Sequence, residues 1–181
     1  MIDIFICEDN KNHLTILQKY ITNFILMEGL DMQIVLSTSD PHMILKELLT
    51  SKNTGLFFLD IDLKSNMNGL ALAQRIRQIQ PRCFIVFITS HSEMSFLTFQ
   101  YKVEALDFII KDTTEHIKTK IRECLLDVNN KYTSLNSVCL LSRYLQLTTL
   151  TSAPVMPESE QIQKSAKYSP LNPEQIHHEY G

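Results

Sequence analysis

Apolar residues along this chain fall in two alternating patterns. Short dense runs occur at Ile2–Cys7, Gln33–Leu36, Leu56–Leu59, Cys83–Ile88 and Leu106–Ile110. Runs without polar alternation suit strands buried on both faces, as in a parallel sheet covered by helices. Between them, apolar residues return every third or fourth position: Leu14, Leu17, Tyr20, Ile21, Phe24 and Ile25; then Ile44, Leu45, Leu48 and Leu49; then Leu70, Leu72, Ala73 and Ile76. This period predicts amphipathic helices. A fourth helix is expected from Ser90 or Ser92 through about Tyr101. A fifth carries Ile117, Ile121, Leu125 and Val128. The punctuation agrees: Asn10, Asp40-Pro41 and Thr113 or Thr114 can start helices, while Gly29 and Pro81 can end them. Five consecutive βα units argue for a parallel sheet with helices on both sides. Right-handed crossovers leave few topologies. The expected fold is α/β, a flavodoxin-like (CheY-like) doubly wound sheet of five strands in the order 2-1-3-4-5.

In such sheets ligands bind beyond the carboxyl ends of the strands. Here those ends are polar. The first strand leads into Glu8-Asp9, the third into Asp60 with Asp62 two residues on, the fourth into Thr89 and the fifth into Lys111. Each has a plain structural alternative. Glu8-Asp9 could favour a helix dipole, Asp60 or Thr89 could cap, and Lys111 could be a solvated strand end. Together they describe one chemistry. Clustered carboxylates repel one another and call for a cation, and oxygen ligands with open positions suit Mg²⁺. A lysine and a hydroxyl beside that ion suit a phosphoryl group. The reaction implied is phosphoryl transfer to a carboxylate nucleophile, Asp60.

Composition narrows the setting. The chain has 181 residues and a formal net charge of −3, so charge offers no case for nucleic-acid binding. No apolar run approaches the ~20 residues that span a bilayer. The start lacks the basic region of a signal peptide and reads as a strand. Cys7, Cys83, Cys124 and Cys139 are scattered without metal-ligand spacing, which fits a reducing cytoplasm. After about Asn130 the chain turns rich in Ser, Thr, Gln and Asn, and Pro154, Pro157, Pro170 and Pro173 fall there. Only Val138–Leu147 keeps apolar density. The expected division is a domain over 1–131 and a mostly disordered tail over 132–181.

The strand-end residues resemble the receiver domain of two-component response regulators. Glu8-Asp9 match the acidic pair, Asp60 the phosphoacceptor, Thr89 the switch hydroxyl and Lys111 the lysine, at the usual 22-residue step from Thr89. Within that group the chain is most similar to Agr-type regulators of the LytTR family. The stretches Phe5-Ile-Cys-Glu-Asp9, Phe58-Leu-Asp-Ile-Asp62, Asn68-Gly69, Thr89-Ser-His-Ser-Glu93, Leu97–Val103 and Asp107–Asp112 carry that likeness over about residues 1–137. Asp112 follows the lysine, where most receivers place proline.

The resemblance implies a cytoplasmic partner of a membrane sensor histidine kinase in peptide quorum sensing. It implies a phosphoacceptor rather than an enzyme with turnover. Glu8, Asp9, Asp60 and the backbone carbonyl of Asp62 would hold Mg²⁺. Lys111 and Thr89 would bind the phosphoryl oxygens, and Phe108 would take the switch-aromatic position. A homodimer would form through the face of the fourth helix, fifth strand and fifth helix. Agr-type regulators continue into a LytTR DNA-binding domain. Residues 132–181 lack its alternating strands, and Arg143, Lys164 and Lys167 are opposed by Glu158, Glu160, Glu174 and Glu179. They read as a truncated remnant, with DNA binding not expected. Two alternatives compete. A transcription regulator would need a folded basic module in that tail. A haloacid-dehalogenase-like phosphatase would use Asp60-Ile-Asp62, but Lys64 stands where a small residue is expected, and the acidic pair precedes Asp60 instead of following the lysine.

Overall fold

The computed structural model describes residues 1–94, 96, 101 and 103–151. Strand β1 (Ile2–Cys7) leads to helix α1 (Lys11–Glu28), β2 (Met32–Thr38) to α2 (Pro41–Leu48), and β3 (Thr54–Leu59) to α3 (Gly69–Ile79). Then come β4 (Phe84–Thr89), a 3₁₀ turn (Ser92–Met94), β5 (Asp107–Ile110) and a long helix, α4 (Thr114–Thr151). All strand pairs are parallel, in the order β2-β1-β3-β4-β5. This is the doubly wound topology that the strand–helix alternation predicts.

The apolar runs explain why the sheet is covered twice. Successive strand side chains point to opposite faces. Phe5, Phe57, Leu59, Ile85 and Phe87 join one buried layer with Ile44, Leu72 and Ile76 of α2 and α3. Ile4, Ile6, Leu56, Phe58, Val86 and Ile88 join the other with Leu17, Ile21, Ile121, Leu125 and Val128. Phe5 and Phe57 stack across β1 and β3 with centroids 4.8 Å apart. Runs that are apolar at nearly every position are needed because neither face of these strands meets water.

The helix starts are set by local chemistry. Asn10 Oδ1 accepts from the backbone N–H of Asn12 and His13, and Asp40 Oδ1 from that of His42. These satisfy donors that a first helical turn leaves unpaired. Gly29, at φ 61°, closes α1 in the left-handed conformation that glycine adopts without strain. At the N-terminal edge of the sheet, buried Asp3 accepts from Gln33 Nε2, Ser51 Oγ and Asn53 Nδ2 at 2.9–3.0 Å. One carboxylate thereby ties together the starts of β1, β2 and β3.

One expectation falls largely outside the described residues, and one changes. The fourth predicted helix appears among the described residues only as the turn Ser92–Met94; residues 95, 97–100 and 102 lie outside them. The change concerns the last helix. Residues 132–151, expected to begin a mostly disordered remnant, are helical, as part of α4 (Thr114–Thr151). No Gly or Pro intervenes before Pro154. Extending an existing helix adds one hydrogen bond per residue without a new nucleation cost, so the Ser, Thr and Asn of 133–142 do not stop it. Two compact units divide within this helix, Met1–Asn136 and Ser137–Gly181. The remaining tail, 152–181, lies outside the described residues.

Candidate functional site

The carboxyl edge of the sheet gathers the predicted residues from four strand ends, those of β1, β3, β4 and β5. Asp60 follows β3, and its backbone N–H donates to the Cys7 carbonyl at 2.9 Å, extending the β1–β3 ladder by one step. That bond sets Asp60 level with Glu8. Likewise the Lys111 N–H donates to the Thr89 carbonyl at 2.9 Å and extends the β4–β5 pairing. The geometry beneath Asp60 depends on Gly69. A methyl there would overlap the Asp60 carbonyl, and the Gly69 N–H donates to the Ile61 carbonyl at 2.9 Å. The first turn of α3 therefore packs directly against the backbone that carries Asp60.

Glu8, Asp9 and Asp60 each offer a carboxylate oxygen within 4.8 Å of the others. Glu8 is 1% exposed and Asp60 7%. The Lys111 ammonium lies between them, donating at 2.6 Å to Glu8 Oε2 and at 2.6 Å to Asp60 Oδ2. Glu8 Oε1 also accepts from the Asn10 N–H at 3.1 Å. Burial pushes the Glu8 carboxyl above its ordinary range, and the Lys111 hydrogen bond opposes that rise. Asp9 projects further out and meets Lys64 Nζ at 3.2 Å. These residues line an open cleft of about 140 Å³. Three hard oxygen donors at this spacing fit a small divalent cation that retains water ligands. Zinc would call for nitrogen or sulfur donors, and the nearby thiol is not one: burial pushes Cys7 up to about 12.

The remaining predicted residues surround this core. Thr89 is fully buried, and its hydroxyl oxygen accepts from the His91 N–H at 3.3 Å. The Asp62 N–H donates to Asp60 Oδ1 at 3.3 Å, while its side chain turns outward to His91 Nε2 at 3.7 Å. His91 also holds Glu93 at 2.8 Å, and that hydrogen bond raises the affinity of the ring for a proton. Phe108 is half-buried, its ring 6.2 Å from that of Phe87. Asp112, in the position after the lysine, accepts from the Thr113 N–H and from His116 Nδ1 at the start of α4. A larger hollow of about 230 Å³ lies beside the cleft, between α1 and α4, with Leu17, Ile88 and Ile117 among its walls. It shares His13, Ser90 and Lys111 with the cleft but holds no carboxylate cluster.

Sequence reasoning missed Lys64 and His91, and did not place His13 or Ser90 in the cleft either. Lys64 draws notice in the sequence only as a misfit to a phosphatase motif, and His91 only as part of a resembling stretch. Neither lies at a strand end, which was the signal in use.

The fold, the carboxylate triad and its lysine coincide on one family. Residues 4–122 match the response regulator receiver domain. The chain belongs to that family. It is 43% identical over 122 residues to accessory gene regulator protein A of Staphylococcus epidermidis, a match covering 67% of this chain and 51% of the relative. The Staphylococcus aureus protein of the same name is 42% identical over the same shares. The chain therefore spans about half the length of these curated relatives. Among solved structures, the response regulatory domain of mrkE from Klebsiella pneumoniae is 30% identical, with a TM-score of 0.57 over 71% of this chain and 98% of that one. No described helix is long and apolar enough to cross a membrane.

Proposed function

We propose that this receiver takes a phosphoryl group from the histidine of a sensor kinase onto Asp60, in an Agr-type peptide-sensing relay. The observation that carries the reading is the triad of Glu8, Asp9 and Asp60 within 4.8 Å, bridged by Lys111 at 2.6 Å from Asp60. In the step, an Asp60 carboxylate oxygen bonds to phosphorus as the phosphorus–nitrogen bond to the donor imidazole breaks. The electron pair leaves with the imidazole. Glu8, Asp9, Asp60 and the Asp62 carbonyl would hold Mg²⁺, which when bound offsets charge on the phosphoryl oxygens. Lys111 exchanges its Asp60 contact for a phosphoryl oxygen and so keeps one cation on the incoming charge.

Thr89 is the second phosphoryl contact in this reading. Its hydroxyl leaves the His91 N–H, drawing on the loop after β4, and Phe108 repacks with it. A new charge of about −2 thus reaches the segment after β4, β5 and the start of the last helix. A second copy of the chain would dock on that face. The chain acts as a phosphoacceptor without substrate turnover. Residues 132–181 do not supply a DNA-binding module, since three Lys and Arg against four Glu cannot displace counterions from DNA. Incubation with acetyl phosphate or beryllofluoride tests the reading. Modification should require a divalent ion and disappear in Asp60→Ala. Steady release of product from a chromogenic phosphate ester would favour the phosphatase instead.

A further inference from the structure

The four carboxylates of the cleft are each matched by a basic side chain, but not equivalently. Glu8 and Asp60 share Lys111, which is 8% exposed and locked by two short bonds. Asp62, 69% exposed, faces His91. Asp9 is held by Lys64, whose side chain is 83% exposed and makes this one ion pair at 3.2 Å. The stem of Lys64 nevertheless rises from a fixed point. Its neighbour Leu63 is buried, as is Met67 further along the loop. Ser65 closes the loop, its hydroxyl donating to the Met67 carbonyl at 2.7 Å and accepting from the Met67 N–H. The ammonium is thus delivered to Asp9 by an ordered loop while remaining free to move into water.

We infer that Lys64 is a displaceable counter-ion of the metal pocket, seated on Asp9 in the metal-free protein and expelled when a divalent cation takes that carboxylate. This rests on the proposed metal reading of Glu8, Asp9 and Asp60. Asp9 is the one member of the triad not already committed to the buried lysine, so it is the carboxylate open to exchange. Lys64 must surrender its ion pair for the cation to bind, and near the cation it is a like charge. Both effects weaken divalent binding, and both are screened by salt because the lysine is exposed. Lys64 is a positioning residue for the metal equilibrium, outside the phosphoryl transfer itself.

The test is calorimetric titration of Mg²⁺, in the absence of any phosphodonor, into the full chain and its variants. At low ionic strength Lys64→Ala should bind Mg²⁺ about two- to tenfold more tightly, the range set by a mobile like charge at the rim of an aqueous site. The gain should contract toward unity at about 0.5 M NaCl, where the Debye length falls below about 5 Å. Lys64→Arg should restore wild-type affinity. Lys52→Ala, which removes an exposed charge at the opposite edge of the sheet, should leave it unchanged. Unchanged or weaker binding by Lys64→Ala, or an equal gain from Lys52→Ala, overturns the inference while leaving the metal site intact. Absence of Mg²⁺ binding by the wild-type protein overturns the metal reading and this inference with it.

Discussion

Replacing Lys111 by methionine isolates the charge at the centre of the site. Methionine keeps much of the aliphatic stem and removes the ammonium. The ammonium is 2.6 Å from both Glu8 and Asp60, and all three side chains are nearly closed to solvent. Removing one partner of a buried pair leaves the other charge uncompensated, at a cost of about 3–5 kcal/mol. In the metal-free protein at pH 7 the melting temperature should fall by roughly 10 °C or more. The loss should also depend on pH. Burial already pushes the Glu8 carboxyl above its ordinary value of 4.5, and Lys111 opposes that rise. Without Lys111 the folded-state value climbs further, so the folded variant binds a proton that the unfolded chain does not. Stability of Lys111→Met should therefore recover as pH falls from 7 toward 4.5, and Mg²⁺ at neutral pH should restore part of it. Urea titrations followed by far-ultraviolet circular dichroism, with chelator or Mg²⁺, measure both. A variant as stable as wild type in chelator at pH 7 would refute the reasoning. So would a deficit of the same size at pH 5, since that would point to lost packing and not charge.

Other outcomes follow from the same contacts. Asp3→Asn should cost about 1–3 kcal/mol at pH 7. Burial alone would raise Asp3, but hydrogen bonds from Gln33, Asn53 and Ser51 outweigh it and hold the carboxyl below 3.8. Its contribution is present above that value and lost as pH falls through the lower folded one, so wild type and variant should converge in acid denaturation below about pH 4. Arg77→Ala should cost roughly 2–4 kcal/mol in chemical unfolding, because its guanidinium donates to the carbonyls of Pro81, Cys83, Val103 and Glu104 at 2.7–3.1 Å. Arg77→Lys should recover less than half of that, since a lysine cannot reproduce the fork. Gly69→Ala should lose about 1–3 kcal/mol and slow acetyl phosphate labelling, because the added methyl displaces the backbone of Asp60.

Much of this was legible in the residues. The runs at Ile2–Cys7, Leu56–Leu59 and Cys83–Ile88 could be read as central strands because burial on both faces leaves almost no polar positions, Asp3 being the exception. Once these were parallel, topology brought Glu8, Asp60, Thr89 and Lys111 to one edge without further information. Lys64 was not legible in the same way. Its approach to Asp9 depends on the loop conformation fixed by Leu63, Ser65 and Met67, and loops carry no period. The reach of the last helix was hidden for a different reason. Ser, Thr and Asn after Asn130 suggest a tail by composition, whereas a helix already nucleated at Thr114 needs only the absence of Gly and Pro to continue. Asp3 was unremarked because a single acid inside a strand gives no sign of the three donors waiting around it.

The central claim is that Asp60 is the phosphoacceptor of a cation-dependent site. Its most direct measurement is intact mass after exposure to acetyl phosphate with Mg²⁺, followed by borohydride trapping and peptide mapping. The account predicts one added phosphoryl group, lost in chelator, and a trapped reduction product confined to Asp60. A phosphoryl group on another side chain, or labelling that persists in Asp60→Ala or without divalent ion, would contradict it.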